Sequence, residues 1–134
     1  PLAAFASGLL ADLDRALTGT VRAEILVPKE LLLSVNAATA LGQVMAELVG
    51  NAIKHAGREH LPIVEVTLAT VGESRLLLSV ADNGPGLPPG FDPAARHGLG
   101  MRILSVYSDQ LDADLTCTNT PEGGAMFRLD FPVR

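Results

Sequence analysis

Glu47-Leu-Val-Gly-Asn51-Ala-Ile-Lys54-His55-Ala56 is the stretch on which the fold turns. Its apolar members continue a pattern that begins upstream. Ala40, Leu41, Val44, Met45, Leu48, Ala52 and Ile53 recur at helical spacing, so a helix is expected from near Asn36 to about Ala56, with Gly57 as its stop. A second stripe on the same helix is polar: Gln43, Glu47, Asn51 and Lys54–His55. It is more selective than a solvated face, which would be richer in Lys and Glu. A carboxylate and a carboxamide lie one turn apart, and a cation and an imidazole follow one turn later. Oxygen ligands suit Mg²⁺, and cations suit phosphates. The same residues also fit an ordinary amphipathic helix, so the stretch needs company before it means chemistry.

The surrounding composition sets the class. The chain has 134 residues, 48% hydrophobic and 19% charged, which fits one globular domain, residues 1–134, with a sizeable core. A net charge of −5 argues against a nucleic-acid or membrane surface. With no Trp and one Tyr, Tyr107, there is little to stack on bases. Cys117 is the single cysteine, so no internal disulfide forms and a cytoplasmic setting is expected. No apolar run is long enough to span a bilayer, and no signal peptide is visible. The chain opens at Pro1, without Met, so a piece of a longer protein is expected.

On either side of the central helix the elements read in order. Leu2–Leu17 forms an amphipathic helix ended by Thr18-Gly-Thr, and Val21–Val27 a strand closed by Pro28. Residues 28–35 read equally as strand or turn. Ile63–Val71 and Arg75–Ala81 form a hairpin about Gly72-Glu-Ser. At its end lies Asp82-Asn83-Gly84-Pro85-Gly86-Leu87, a bend whose glycines let backbone come close to a ligand, although a plain Asp-Asn-Gly turn is common. Residues 88–96 hold three prolines and are expected to form an irregular surface segment. His97-Gly98-Leu99-Gly100 then opens a helix with Met101, Ile103, Leu104 and Tyr107 as its apolar members; such a start offers free N–H groups to phosphate. Asp114–Thr118 and Ala125–Phe131 read as strands joined by a Thr120-Pro-Glu-Gly-Gly turn. No internal repeat is present.

Each signal is weak alone, but their order is specific. An Asn-bearing helix, a strand ending in Asp-x-Gly-x-Gly and a Gly-x-Gly helix start resemble the nucleotide-binding boxes of the GHKL superfamily, which covers gyrase, the large heat-shock chaperone, histidine kinases and the MutL mismatch-repair proteins. The stretch Glu47–Ala56 resembles the N box, Asp82–Leu87 the first glycine box, Gly98–Arg102 the second, and Gly123-Gly124-Ala125-Met-Phe127 the closing strand. The short segment between the two glycine boxes is most like a bacterial sensor histidine kinase.

The resemblance implies a two-layer α/β sandwich of the Bergerat type, a mixed sheet with helices on one face, that binds ATP and Mg²⁺. It implies that Asp82 accepts a hydrogen bond from the adenine amino group, with Gly84, Gly86 and Leu87 around the base. Asn51 would be the Mg²⁺ ligand, and Glu47 would orient a metal-bound water or assist the acceptor's proton. Lys54 would meet the phosphates, His55 would lie beside the adenosine, and Gly98, Leu99 and Gly100 would supply backbone to the phosphates. The implied activity is transfer of the γ-phosphate to a histidine on a separate dimerisation domain of the same protein, a homodimer, which then passes it to a response regulator. A serine kinase of the anti-sigma-factor type and a degenerate phosphotransfer adaptor share these boxes and remain alternatives.

Some particulars depart from, or refine, the pattern. The family's Thr in the closing strand is Ala125 here, which removes a side-chain support for Asp82. Gly50 inside the helix is accounted for only by close packing. His55, His60 and His97 have no acceptor-like context, so the chain reads as the catalytic half alone. The segment from Leu87 to His97 is expected to act as a lid that orders on nucleotide.

Overall fold

In the computed structural model, residues 1–16, 20–55, 61–87 and 99–133 are described. Three helices and five strands follow one another as α1 (Leu2–Ala16), β1 (Thr20–Leu26), α2 (Val35–His55), β2 (Ile63–Val71), β3 (Arg75–Asp82), α3 (Leu99–Gln110), β4 (Asp114–Asn119) and β5 (Ala125–Pro132). The strands make one sheet in the order β1-β2-β3-β5-β4. Strand β1 runs parallel to β2, and every other pair is antiparallel, so the sheet is mixed.

Alternation along the strands puts one apolar surface on one face. The register aligns Val66 with Val80, Leu68 with Leu78, Leu78 with Leu129, and Leu76 with Phe131. All of these are buried, and they share one core with Leu2, Ala6 and Leu10 of α1, Leu41, Val44, Met45 and Leu48 of α2, and Leu104 of α3. Arg22, Glu65, Thr67, Arg128 and Thr116 alternate onto the opposite face. The helices therefore cover one face, in two layers, as the sandwich reading expects. Helix α2 lies over β2 and β3, between α1, which covers β1, and α3.

Local chemistry explains the boundaries. Helix α2 starts at Val35, one residue before the expected Asn36, because Ser34 caps it: its Oγ accepts the Ala37 N–H at 3.1 Å and its carbonyl the Ala38 N–H at 2.9 Å. Residues 28–34, ambiguous in sequence, are no strand; they turn, with Leu31 donating to the Pro28 carbonyl and accepting from Leu2. Strand β1 is shifted back by one residue, to Thr20–Leu26, and the Asp14 carboxylate accepts the Val21 N–H at 2.8 Å. Strands β3 and β4 each run one residue further than expected, to Asp82 and Asn119. The sequence reading placed seven residues of α2 in the core and missed Val49, which is fully buried. The α1 stripe holds up to Leu13, Leu17 lying outside the described residues, but Phe5 is only half covered, its ring tip leaning on Gly42, where an added Cβ would lie 3.1 Å from it. Asp112, with φ of 53°, ends the turn after α3 in a left-handed conformation more usual for glycine. No helix among the described residues is long and apolar enough to cross a membrane.

Close packing does not account for Gly50. A Cβ built there meets no atom of the described residues within 4 Å. The helix therefore carries the entropic penalty of glycine with no steric return at this position. Gly50→Ala is expected to stabilise the chain by about 0.5–1 kcal/mol. Thermal unfolding checks this; a lowered midpoint would show that the position has a constraint beyond the helix itself.

Candidate functional site

Topology gathers the expected residues at one end of the sheet. Helix α2 returns from the end of β1 to the start of β2, so its second half, carrying Glu47 and Asn51, approaches the end where β2 begins. Asp82, at the end of β3, is paired with Val64 at that same end. Strand β4 starts at the far end, where Asp114 pairs with Asp130, so α3, which leads into it, has its N-terminus back at the Asp82 end. Asp82, the polar stripe of α2 and the Leu99–Gly100 start of α3 thus converge without being near in sequence.

At the centre is Asp82. Its Oδ1 accepts two backbone N–H groups, Gly84 at 2.8 Å and Ala125 at 3.2 Å. The first is a local Asx turn, which an Asp followed two residues later by Gly favours. The second comes from the closing strand, 43 residues away. With both bonds on Oδ1, the carboxylate has a fixed plane, and among the described residues no donor meets Oδ2. Ala125 therefore supports Asp82 through its main chain; the missing Thr hydroxyl does not leave the carboxylate unsupported. Gly124 must be glycine here, because a Cβ would lie 1.9 Å from the Asp82 carbonyl oxygen.

The loop after Asp82 is laid across the strand ends. Asn83 reaches one way, accepting the Ile63 N–H at 3.0 Å and donating to the Leu61 carbonyl at 3.2 Å. Gly86, with φ of 88°, leaves no room for a side chain: a Cβ would lie 2.6 Å from the Gly123 carbonyl oxygen. Leu87 donates its N–H to Asn119 Oδ1 at 2.8 Å. The β4–β5 turn that receives the loop is itself closed, Thr120 taking the Gly123 N–H at 2.9 Å and, through Oγ1, the Gly124 N–H at 3.0 Å. Gly86 was expected to be glycine for close approach to a ligand; contact with the protein's own backbone already requires it.

Of the polar stripe, Glu47 and Asn51 are half-buried while Gln43 and Lys54 are exposed. Neither Glu47 nor Asn51 has a hydrogen-bond partner among the described residues. Two half-covered oxygen-bearing side chains one turn apart, neither hydrogen-bonded among the described residues, suit a ligand that brings its own charge. Among the described residues no three His, Cys, Asp or Glu cluster to hold a metal. The donor set still fits Mg²⁺, which prefers hard oxygen and is commonly held by one or two side chains together with substrate phosphates. Leu99 and Gly100 are the first residues of α3, where backbone N–H groups have no helical acceptor. Gly98, His97, His60 and the expected lid up to His97 lie outside the described residues, as does the His55 side chain.

The sequence reading missed Asn83 and Asn119. Asn83 stood in a turn motif, which hid its long-range role, and nothing local marks Asn119, whose partner lies 32 residues earlier. A cavity of about 440 Å³ lies between α1 and β1, lined by Ser7, Leu10, Ala11, Asp14, Val21 and Ile25, at the opposite edge of the sheet from β5 and β4.

Comparison with known proteins places this arrangement. Residues 36–134 match the model of the histidine kinase-, DNA gyrase B-, and HSP90-like ATPase family. Sensor protein KdpD of Escherichia coli K12 is 39% identical over 105 residues, covering 67% of this chain and 11% of that protein. The signal transduction histidine-protein kinase AfsQ2 of Streptomyces coelicolor is 34% identical over 107 residues, covering 69% of this chain and 19% of that protein. The chain thus spans about a tenth to a fifth of these relatives. Among solved structures, the blue-light activated histidine kinase of Erythrobacter litoralis EL346 superposes with a TM-score of 0.85 at 24% identity, over 99% of this chain and 42% of that one. The mycobacterial sensor histidine kinase MprB superposes with a TM-score of 0.71 at 19% identity, over 98% and 95%. With the family's boxes in order and its fold closed around Asp82, the chain belongs to the histidine kinase-, DNA gyrase B- and HSP90-like ATPases, as a nucleotide-binding catalytic ATPase domain of the histidine-kinase type.

Proposed function

We propose that the chain, as one catalytic unit over residues 1–134, binds ATP with Mg²⁺ and donates the γ-phosphate to a histidine on a separate dimerisation domain of the same protein in two-component signalling. The observation that carries this reading is the Asp82 carboxylate, held through Oδ1 by Gly84 and Ala125. Its remaining oxygen accepts the adenine amino group. Guanine presents a carbonyl oxygen at that position, which would face the carboxylate and leave it unpaired. Asn51 would hold Mg²⁺ through its amide oxygen, and Lys54 would meet the phosphates as a point charge. Mg²⁺, when bound, neutralises charge on the β- and γ-phosphates.

In the transfer step an imidazole nitrogen of the acceptor forms a bond to the γ-phosphorus as the bond to the β–γ bridging oxygen breaks. ADP leaves with that oxygen. Glu47, one turn from Asn51, takes the proton displaced from the imidazole, or would orient water beside the ion that Asn51 would hold. Leu99 and Gly100 lend the phosphates the unpaired N–H groups of the α3 start. Gly84 and Leu87 flank the base. The full-length protein would act as a homodimer and pass the phosphoryl group to a response regulator. The domain itself makes no contact with membrane or nucleic acid in this scheme, and works in the cytoplasm.

Calorimetry tests the base assignment. ATP is expected to bind at least about tenfold more tightly than GTP, the scale of an unpaired polar group. Asp82→Ala should lose both affinity and preference while the unfolding curve stays cooperative. Equal affinities for ATP and GTP in the parent chain would remove Asp82 from the adenine.

Phosphotransfer is tested with γ-labelled ATP. The chain alone is expected to take up no label, because no histidine in it has an acceptor context. Supplied with a dimerisation domain, it should yield acid-labile phosphohistidine, and Asn51→Ala should abolish that while sparing metal-free nucleotide binding. Label on His55, His60 or His97, or acid-stable label on serine, would contradict the scheme.

A further inference from the structure

We infer that Asn119 is a positioning residue for nucleotide: from the end of β4 it sets how the Asp82 loop lies, and thereby how sharply the site discriminates between bases. The inference rests on the adenine reading of Asp82.

The geometry is unusual for a loop contact. Asp82 ends β3, and β4 is not its neighbour, because β5 lies between them. To reach Asn119 the loop must pass over the start of β5. It does so in van der Waals contact with the turn, with Gly86 set against the Gly123 carbonyl and the Asp82 carbonyl against Gly124. Leu87 N–H then lands on Asn119 Oδ1 at 2.8 Å. An added Cβ on Gly86 would lie 2.9 Å from that same oxygen, so the amide both bonds Leu87 and walls Gly86.

At the opposite side Asn83 ties the loop to the start of β2 through Ile63 and Leu61. The loop is therefore strapped across the ends of β2, β3, β5 and β4, with one asparagine at each side and the Asp82 carboxylate between them. Sliding at either anchor would tilt the strap. Because Oδ1 of Asp82 is bonded both to the strap, at Gly84, and to the sheet, at Ala125, a tilt pulls those two donors apart and rotates the carboxylate. Oδ2 then meets an incoming base at a poorer angle. Asn119 touches none of the reacting atoms in this account; it acts through Leu87 and Gly86.

Asn119 is exposed, so its loss should leave the folded state nearly intact. What should change is selectivity, which general destabilisation would not move. Asn119→Ala is expected to weaken ATP binding by about three- to tenfold, the effect of one neutral hydrogen bond, while GTP binding changes less, so the ATP/GTP ratio falls. The Leu87 amide should lose protection from hydrogen exchange. Asn119→Asp keeps an acceptor oxygen in the same place and should restore both the ratio and the protection. The parent chain, Asp82→Ala and the two Asn119 variants are each titrated with ATP and with GTP. If the parent chain prefers ATP and Asp82→Ala loses that preference, but Asn119→Ala keeps the parent's ratio, the positioning role is wrong and the adenine reading stands. If the parent itself shows no preference, it is the adenine reading that fails, and this inference falls with it. If Asn119→Asp behaves like Asn119→Ala, the acceptor oxygen is not what positions the loop.

Discussion

The site depends on one oxygen. Asp82 Oδ1 takes a hydrogen bond from the loop that follows it and another from the strand that closes the fold. A carboxylate held by a single local turn would rotate with its loop. A second donor from Ala125, a residue 6% exposed in the packed sheet, references the carboxylate to the core. The strand-end glycines follow from this constraint: the backbone of Gly124 passes so close to Asp82 that no side chain fits between them. Loss of one such bond is worth only about 0.5–1.5 kcal/mol in stability, and its larger effect is on where the free oxygen points.

The division of labour between the layers follows from the sheet. Its buried face, built from Val66, Leu68, Leu76, Leu78, Val80 and Leu129, gives a rigid platform whose end carries Asp82. The helix layer supplies the other half. Helix α2 has its apolar stripe turned to the core, with Ile53 partly covered at its end, which leaves Glu47 and Asn51 as its half-covered polar edge, unpaired within the described residues. In the proposed mechanism the platform reads the base and the helix layer handles phosphate and Mg²⁺. Such an arrangement lets one part be precise about identity and the other about charge.

Much of this was legible in the sequence because it is local. The periodicity of Leu41, Val44, Met45 and Leu48 fixed α2 and its buried face, and the alternation over Ile63–Val71 fixed β2 to the residue. The boxes around Asn51, Asp82 and Gly100 identified the family because their order is specific even where each motif is weak. What was not legible is long-range. Asn83 and Asn119 are ordinary turn and strand-end residues until the sheet brings their partners to them. The Ala125 departure looked like a lost support, since a sequence shows side chains and hides the main-chain N–H that does the work. Gly50 misled in the opposite sense: glycine in a helix suggested close packing, and no described residue comes within 4 Å of a Cβ built there. Ser34 was overlooked as a cap because the apolar run beginning nearby drew the boundary one residue too late.

The central claim is that Asp82 reads adenine from a carboxylate fixed before nucleotide arrives. A crystal structure of the chain with a non-hydrolysable ATP analogue and Mg²⁺ tests it most directly. The account predicts the adenine amino group within hydrogen-bond distance of Asp82 Oδ2, with the Gly84 and Ala125 bonds to Oδ1 unchanged from the nucleotide-free state. Adenine bound elsewhere, for example in the groove between α1 and β1, or an Asp82 carboxylate that breaks the Ala125 bond to reach the base, would contradict it.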